Sequence, residues 1–152
     1  MISSVFINGF CAVVLALLLA FTTTPAVRAL AHIIGAIDVP KDDRRMHKKP
    51  IPRIGGLAIF LAFVISTSLF CEINQALISV YIGGFLIVLV GVVDDIKAIN
   101  AWIKLTAQIA AAAIAVICGV RLEFINLFGD YINFGAWSIP ITIFWIVGLT
   151  NA

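Results

Sequence analysis

Charged residues are scarce in this sequence. They make up 12% of the 152 residues, whereas 62% of the residues are hydrophobic. Soluble domains carry about 25% charged residues. A water-soluble fold of this size could not bury so much apolar surface, so the composition excludes a soluble globular protein and predicts an integral membrane protein.

The sequence also lacks the motifs of several common catalytic and metal sites. It has no Gly-rich P-loop, no H-E-x-x-H pair and no Ser-centred elbow. Cys11, Cys71 and Cys118 show no CxxC spacing, and we interpret them as small apolar side chains, with a Cys71–Cys118 disulfide as the alternative. The start "MISSVFINGF" lacks the basic residue of a secretory signal, which predicts a retained span.

The apolar segments predict an all-α membrane protein, a polytopic helical bundle with about five transmembrane helices. Eighteen helical residues cover about 27 Å, close to one hydrocarbon core. We predict a single transmembrane domain over residues 1–152, with spans at about 4–21, 55–70, 76–93, 101–120 and 136–150. The first span is expected to continue past Pro25 as a kinked or interfacial helix. Residues 121–137, with Gly129-Asp130 at their centre, predict a small external β-hairpin or loop.

Basic residues are concentrated in one connection between spans. Seven of the ten Lys and Arg residues fall between Arg28 and Arg53. Because positive residues mark cytoplasmic loops, this segment is predicted to lie inside and the N-terminus outside. The connection "CEINQ" has no Lys or Arg and is predicted outside, as are residues 121–137. The loop that begins at Asp94 is then cytoplasmic.

Small residues predict close helix contacts in the third and fourth spans. The stripe that we expect to face the bundle interior consists of Ala101, Lys104, Gln108 and Ala115. A similar close-packing surface is expected at Gly83, Gly84 and Gly91. Asn100 is predicted to cap the fourth span.

Two adjacent carboxylates, Asp94 and Asp95, follow the third predicted span directly. Acids at a helix C-terminus are unfavourable by about 0.3–1 kcal/mol each, so their position needs an explanation. They are either solvated loop acids or a site for Mg²⁺, or Mn²⁺ in its place, together with a phosphate-bearing substrate. Lys104 lies one turn into the fourth span. It either snorkels to the headgroups or is held beside the two acids, ready to contact a phosphate.

The segment "DVPKDDRRMHKKPIPRIGGLAIF" joins the first two spans. One interpretation is a basic juxtamembrane loop that sets topology and attracts anionic lipid. The other is a phosphate cradle, because Arg53 leads into Gly55 and Gly56 at a helix start, where backbone N–H groups favour anions. His47 is interpreted as a phosphate contact. The two interpretations are compatible.

These two segments and the final "TNA" resemble the polyprenyl-phosphate N-acetylhexosamine-1-phosphate transferases, glycosyltransferase family 4. The matching text is "DVPKDDRRMHKKPIPRIGGLAIF" and "GVVDDIKAINAWIKLTAQ". Within it, H-x-x-P-I-P-R-I-G-G is similar to the branch that uses UDP-N-acetylglucosamine. The resemblance implies that undecaprenyl or another polyprenyl phosphate attacks the β-phosphate of a UDP-sugar at the cytoplasmic face of the bacterial plasma membrane. Mg²⁺ assists, UMP is released, and a cell-envelope glycan is initiated.

The resemblance also implies roles for individual residues. Asp94 and Asp95 match acids that act at the prenyl phosphate and near the metal, and Lys104 matches a basic residue near the diphosphate. Asn151 is similar to the first Asn of an N-x-x-N-x-x-D-G-x-D-G segment. The sequence ends one residue later. We therefore expect a truncated bundle that lacks the D-G-x-D-G acids and has little activity alone.

The expected partners are polyprenyl phosphate, a UDP-N-acetylhexosamine, membrane lipids and a second copy in a homodimer, with no nucleic acid. The competing interpretation is a non-catalytic membrane scaffold or a piece of a transporter, in which the polar stripe serves packing or ion passage. A CDP-alcohol phosphotransferase is disfavoured, because its spaced D-G…D…D pattern is absent.

Overall fold

The computed structural model describes residues 2–38, 51–127 and 130–151. The helices of these residues are α1 Ile2–Ile34, α2 Gly55–Phe70, α3 Gln75–Ile96, α4 Ala101–Ile117 and α5 Ser138–Asn151. Two short antiparallel pairs accompany them: β1 Ile37–Asp38 with β2 Ile51–Pro52, and β3 Phe124–Leu127 with β4 Asp130–Asn133. A 3-10 turn, Gly135–Trp137, precedes α5. The predicted helical class and the predicted hairpin are both confirmed.

Helix α1 continues through Pro25 to Ile34, which confirms the expected helical continuation of the first span past Pro25. Threonine hydroxyls before the proline donate back to carbonyls one turn earlier, as in the bond of 2.6 Å from Thr24 Oγ1 to Ala20 O. Gly35, with φ of +77°, ends the helix, and the Ala36 N–H donates to the Ala31 carbonyl across 2.9 Å. The 33 residues cover about 50 Å, more than one hydrocarbon core.

Two helical stretches of the described residues are long and apolar enough to cross a membrane, Val5–Ile34 and Gln75–Ile96. Helices α2, α4 and α5 are apolar but shorter. Large apolar side chains such as Phe21 and Phe144, which are 81% and 80% exposed, cover the outer surface, as expected where lipid replaces water. The protein is a helical membrane protein. The number of its helices that cross the membrane stays a prediction.

The chain divides into two compact units, which we call the first unit (residues 1–73 and 88–99) and the second unit (residues 74–87 and 100–152). In the first unit the core lies where the end of α1 meets the beginning of α2. Its buried residues are Val27, Ala31, Ala36, Ile54 and Ala58, with Ile34, Leu57 and Val92 packed against them. The end of α3 therefore packs on the same core. The single transmembrane domain expected from the sequence stays a prediction.

In the second unit, α3 and α4 approach closely at Gly83. A Cβ atom added there would lie 3.1 Å from the Ala111 carbonyl oxygen, so a side chain would force the helices apart. The predicted close packing is thus confirmed at Gly83. It is wrong at Gly91, where an added Cβ would meet no atom within 4 Å among the described residues.

Helix α4 begins after Asn100, whose Oδ1 accepts from the Trp102 N–H at 3.0 Å, which confirms the predicted cap. It ends at Ile117, three residues before the predicted boundary, because Gly119 adopts a φ of +94°. The Val120 N–H then donates to the Ala115 carbonyl across 3.0 Å, which closes the end of the helix.

The hairpin between α4 and α5 is tied to the base of α5. Phe124 and Tyr131 stack across the two strands, with 4.6 Å between ring centroids. The Leu122 N–H donates to Thr142 Oγ1 at 2.8 Å, and this buried hydroxyl donates in turn to the Ser138 carbonyl at 2.6 Å. The predicted turn centre includes Gly129, which lies outside the described residues.

Candidate functional site

Asp94 and Asp95 lie inside α3, in its last turn, rather than in a loop after it. The helix therefore extends three residues beyond the predicted span of 76–93. No Gly or Pro interrupts "VVDDIKAIN", and the Lys97 N–H still donates to the Val93 carbonyl at 2.8 Å. The carboxylates thus lie at the negative end of the helix dipole, where two acids are unfavourable in isolation.

Asp94 has a definite structural contact. Its Oδ1 accepts from the Ile99 N–H at 3.0 Å and so orders the connection that leaves α3. Asp95 projects about 100° further around the helix, since neighbouring helical residues differ by that angle. Both side chains are half-buried. Asp94 therefore organises the backbone at the end of α3 in addition to any chemical role.

The start of α2 belongs to the same unit as the acids. Its first amides are partly engaged, because the Gly55 N–H donates to the Arg53 carbonyl at 2.9 Å and the Leu57 N–H to the Ile54 carbonyl at 3.1 Å. The Gly55 N–H therefore already has a backbone acceptor, and the phosphate cradle expected at this helix start stays a prediction. Arg53, Gly55 and Gly56 are exposed at this helix start.

The basic segment is closed at its base by the β1–β2 pair. Ile37 pairs with Pro52, Asp38 pairs with Ile51, and the Arg53 N–H extends the pairing to the Ala36 carbonyl at 3.1 Å. This brings the two ends of the segment together, which the sequence analysis did not predict. His47 lies outside the described residues, so its expected phosphate contact stays a prediction.

A pocket of about 360 Å³ lies in the first unit between α1 and the start of α2. Its wall from α1 consists of Thr24, Val27 and Arg28. The facing wall consists of Ile51, Pro52, Ile54, Gly55 and Ala58. Among the described residues the lining is mostly apolar, with Arg28 as its one cationic side chain.

The second unit joins two polar side chains on α4 and α5. Asn151 Nδ2 donates to Gln108 Oε1 at 2.6 Å and to the Val147 carbonyl at 2.8 Å. A backbone carbonyl can only accept, so the donating atom is the Asn151 nitrogen and its partner on Gln108 is the oxygen. This leaves Asn151 Oδ1 as an acceptor and Gln108 Nε2 as a donor for further contacts.

Lys104 lies one turn before Gln108 on the same face of α4. Lys104 and Gln108 are half-buried and Ala111 and Ala115 are buried, whereas Ala101 is exposed. The predicted interior stripe is therefore confirmed except at Ala101. Gln108 was not among the predicted substrate-binding residues, although its spacing of four from Lys104 was a usable signal.

The described residues contain no group of three or more His, Cys, Asp or Glu that could hold a metal ion. Two carboxylates still fit Mg²⁺, because this ion commonly takes one or two carboxylates and completes its shell with substrate phosphates and water. Cys11, Cys71 and Cys118 are free, so the alternative of a disulfide is wrong.

Carboxylate, lysine and amide side chains lie near the ends of apolar helices. The class of protein defined by this arrangement is a helical membrane protein with polar side chains at its helix ends. Residues 77–152 match the model of the family described as "Glycosyl transferase family 4". The chain belongs to glycosyl transferase family 4. No solved structure matches the chain.

Three curated relatives show how the similarity is distributed. The chain is 35% identical over 146 residues to a probable undecaprenyl-phosphate N-acetylglucosaminyl 1-phosphate transferase of Bacillus subtilis, covering 93% of this chain and 40% of the relative. It is 30% identical over 150 residues to a decaprenyl-phosphate N-acetylglucosaminephosphotransferase of Mycobacterium tuberculosis, covering 90% and 37%. It is 29% identical over 118 residues to a phospho-N-acetylmuramoyl-pentapeptide-transferase of Thermotoga neapolitana, covering 72% and 38%. The chain thus spans well under half the length of these relatives.

Proposed function

We propose that the complete gene product, meaning this chain with whatever its gene encodes on either side, transfers N-acetylglucosamine-1-phosphate from UDP-N-acetylglucosamine to a polyprenyl phosphate. The relatives from Bacillus subtilis and Mycobacterium tuberculosis are named for this type of reaction. The relative named for a muramoyl-pentapeptide substrate aligns over a shorter part of the chain. This favours the N-acetylglucosamine nucleotide, in agreement with the H-x-x-P-I-P-R-I-G-G text.

The observation that carries the proposal is the position of Asp94 and Asp95 in the last turn of an apolar helix of 22 residues. Two carboxylates at this helix end are unfavourable in isolation. A cation bound with anionic substrates would offset that cost. The bond from Asp94 to Ile99 accounts for one carboxylate oxygen. Two adjacent carboxylates at this helix end are also the ligands that a Mg²⁺ ion bound with substrate phosphates would use.

In the proposed reaction, an oxygen of the polyprenyl phosphate attacks the β-phosphorus of the UDP-sugar. The bond from that phosphorus to the bridging oxygen breaks, and UMP leaves with the bridging oxygen. Asp94 and Asp95 would hold Mg²⁺, or Mn²⁺ in its place, which when bound neutralises charge on the phosphates. Both acids are candidates to orient the acceptor phosphate, and Asp94 also orders the backbone through the Ile99 N–H.

The remaining predicted residues would bind the nucleotide. Lys104 supplies a positive charge for the diphosphate, and the half-buried setting strengthens that interaction relative to bulk water. Asn151, held by Gln108, presents its Oδ1 to a donor on the substrate. Arg53 and His47 would contact phosphate oxygens from the basic segment. Gly55 and Gly56 leave the start of α2 open to the substrate.

The proposed location is the bacterial plasma membrane, with several membrane crossings, the N-terminus outside and the active face cytoplasmic. The charge pattern supports this orientation, because most Lys and Arg residues fall between Arg28 and Arg53. The product would begin a cell-envelope glycan. A homodimer is part of the same proposal.

The test is UMP release by the complete gene product in vesicles supplied with UDP-N-acetylglucosamine, undecaprenyl phosphate and Mg²⁺. We expect one UMP per lipid-linked sugar, and no release when the lipid phosphate or the metal is withheld. Replacing the nucleotide by UDP-N-acetylmuramoyl-pentapeptide should abolish the reaction. A protein that inserts into the membrane and releases no UMP with either nucleotide would support the scaffold instead.

A further inference from the structure

Arg28 is unusual among the residues of α1. It is the only Asp, Glu, Lys or Arg in Ile2–Ile34. It follows an otherwise apolar stretch, is exposed, and lines the pocket of the first unit. A charged side chain on an apolar membrane helix is costly unless it reaches the headgroups or meets an opposite charge.

The pocket places apolar residues around the Arg28 side chain. Val27 stands beside Arg28 on α1, and Ile51, Ile54 and Ala58 form most of the facing wall. A ligand that fits this lining has an anionic head and an apolar body. Inorganic phosphate or a free nucleotide would leave the apolar wall uncovered.

We propose that this pocket binds an anionic glycerophospholipid, with its phosphate on the Arg28 guanidinium and an acyl chain along the apolar wall. Guanidinium groups pair well with phosphate oxygens. Exposed apolar residues lie close in sequence to the lining: Ile59 follows Ala58 and is 66% exposed, and Ile33 lies five residues after Arg28 and is 81% exposed.

The positive charge of Arg28 in the pocket favours an anionic lipid over a zwitterionic one. The β1–β2 pair positions Ile51 and Pro52, which line the same pocket. Each basic residue near an anionic surface strengthens lipid binding several-fold. The pocket shares Gly55 with the proposed substrate-binding residues, but its cation, Arg28, is not one of them, so the lipid proposal does not rest on the transfer reaction.

The experiment measures phospholipid retained by the complete gene product after delipidation and titration with phosphatidylglycerol or phosphatidylcholine, read by native mass spectrometry. We expect phosphatidylglycerol to be preferred, and Arg28→Gln to weaken its binding about fivefold. Arg28→Lys should retain most of the affinity. The matched control is Arg121→Gln in the second unit, which removes an arginine whose Nε donates to the Val116 carbonyl and should leave lipid binding unchanged.

Thr24→Trp provides a second variant, which fills the pocket and leaves Arg28 in place. It should also weaken phosphatidylglycerol binding, even if Arg28→Gln fails to insert. Equal binding of phosphatidylglycerol by Thr24→Trp and the unmodified protein would overturn the proposal. So would a clear preference for undecaprenyl phosphate that is lost in Arg28→Gln, because the occupant would then be the acceptor lipid.

Discussion

The two regions that carry the candidate site residues are built differently. At the end of α3, Asp94 bonds to a backbone N–H five residues on, so the carboxylate helps to shape the chain. On α4 and α5, Asn151 bonds to Gln108 across 43 residues of sequence, side chain to side chain. The first contact organises a local connection, whereas the second holds two helices and orients one amide.

This difference shows how to separate chemistry from folding in a membrane protein with few polar groups. A variant at Asp94 changes both the site and the backbone, so a loss of activity there is ambiguous. Lys104 and Gln108 lie on the same face of α4 as Ala111 and Ala115. The packing of this face depends on these two small buried residues. Changes at the polar end of that face should alter function with little loss of structure.

The largest effect is expected at Lys104. Lys104→Gln removes the positive charge proposed for the diphosphate and should lower kcat/KM by about 10²–10³-fold. Lys97→Gln is the matched control, since Lys97 is exposed and interpreted as a topology signal. The measurement is UMP release by the complete gene product at equal membrane insertion. Similar losses in both variants would show that charge near the membrane matters and that position does not.

A substitution at Gly83 tests whether the close packing of α3 and α4 stabilises the second region. Gly83→Leu introduces a side chain whose Cβ lies 3.1 Å from the Ala111 carbonyl oxygen, and should destabilise the protein by about 1–3 kcal/mol. Gly91→Leu, at a position with no atom within 4 Å of an added Cβ among the described residues, should leave the unfolding midpoint unchanged. Thermal unfolding in detergent measures both. Equal midpoints would mean that α3 and α4 are not in close contact at Gly83.

Two different substitutions at Asp94 separate its structural role from its proposed chemical role. Asp94→Ala removes the acceptor of the Ile99 N–H and should cost about 1 kcal/mol, seen as a lower unfolding midpoint. Asp94→Asn retains an acceptor oxygen at the same place and should keep the midpoint while reducing UMP release. An unchanged unfolding midpoint in Asp94→Ala would contradict a structural role for the bond between Asp94 and the Ile99 N–H.

The smallest effect is expected at Gln108. Gln108→Leu removes the acceptor for Asn151 and should cost about 0.6 kcal/mol, with a several-fold increase in KM for the UDP-sugar. Gln108→Glu keeps an acceptor oxygen and should restore most of the KM. Gln75→Leu, at the start of α3, is the control with the same change. A fall in kcat with unchanged KM would contradict a role for Gln108 in positioning a nucleotide-binding amide.

The sequence predicted most of the local structure. The bounds of α2 agree with the apolar run, and Asn100 caps α4 as its side chain chemistry requires. The helix ends differ from the predicted span ends, because local patterns describe the ends of helices poorly. Helix α3 extends over Asp94 and Asp95, since charge alone does not end a helix. Helix α4 ends before Gly119, because the positive φ of this glycine interrupts the helix although the apolar sequence continues.

Contacts between distant residues could not be predicted from local patterns. The pairing of Ile37 with Pro52 and the bond between Asn151 and Gln108 each join segments whose separation in sequence carries no periodic signal. The candidate site shows the same limit. The sequence motifs indicated Asp94, Asp95 and Lys104 as site residues. They did not indicate that Asp94 bonds to the Ile99 backbone.

The most direct measurement is UMP release by Asp95→Asn in the complete gene product, compared with Asp130→Asn on the hairpin as the matched control. Asp95→Asn keeps the size and polarity of the side chain and removes its charge. We expect it to insert normally and to lose about 100-fold or more of its Mg²⁺-dependent turnover, while Asp130→Asn stays fully active. Unchanged turnover in Asp95→Asn would contradict a chemical role for the acids at the end of α3.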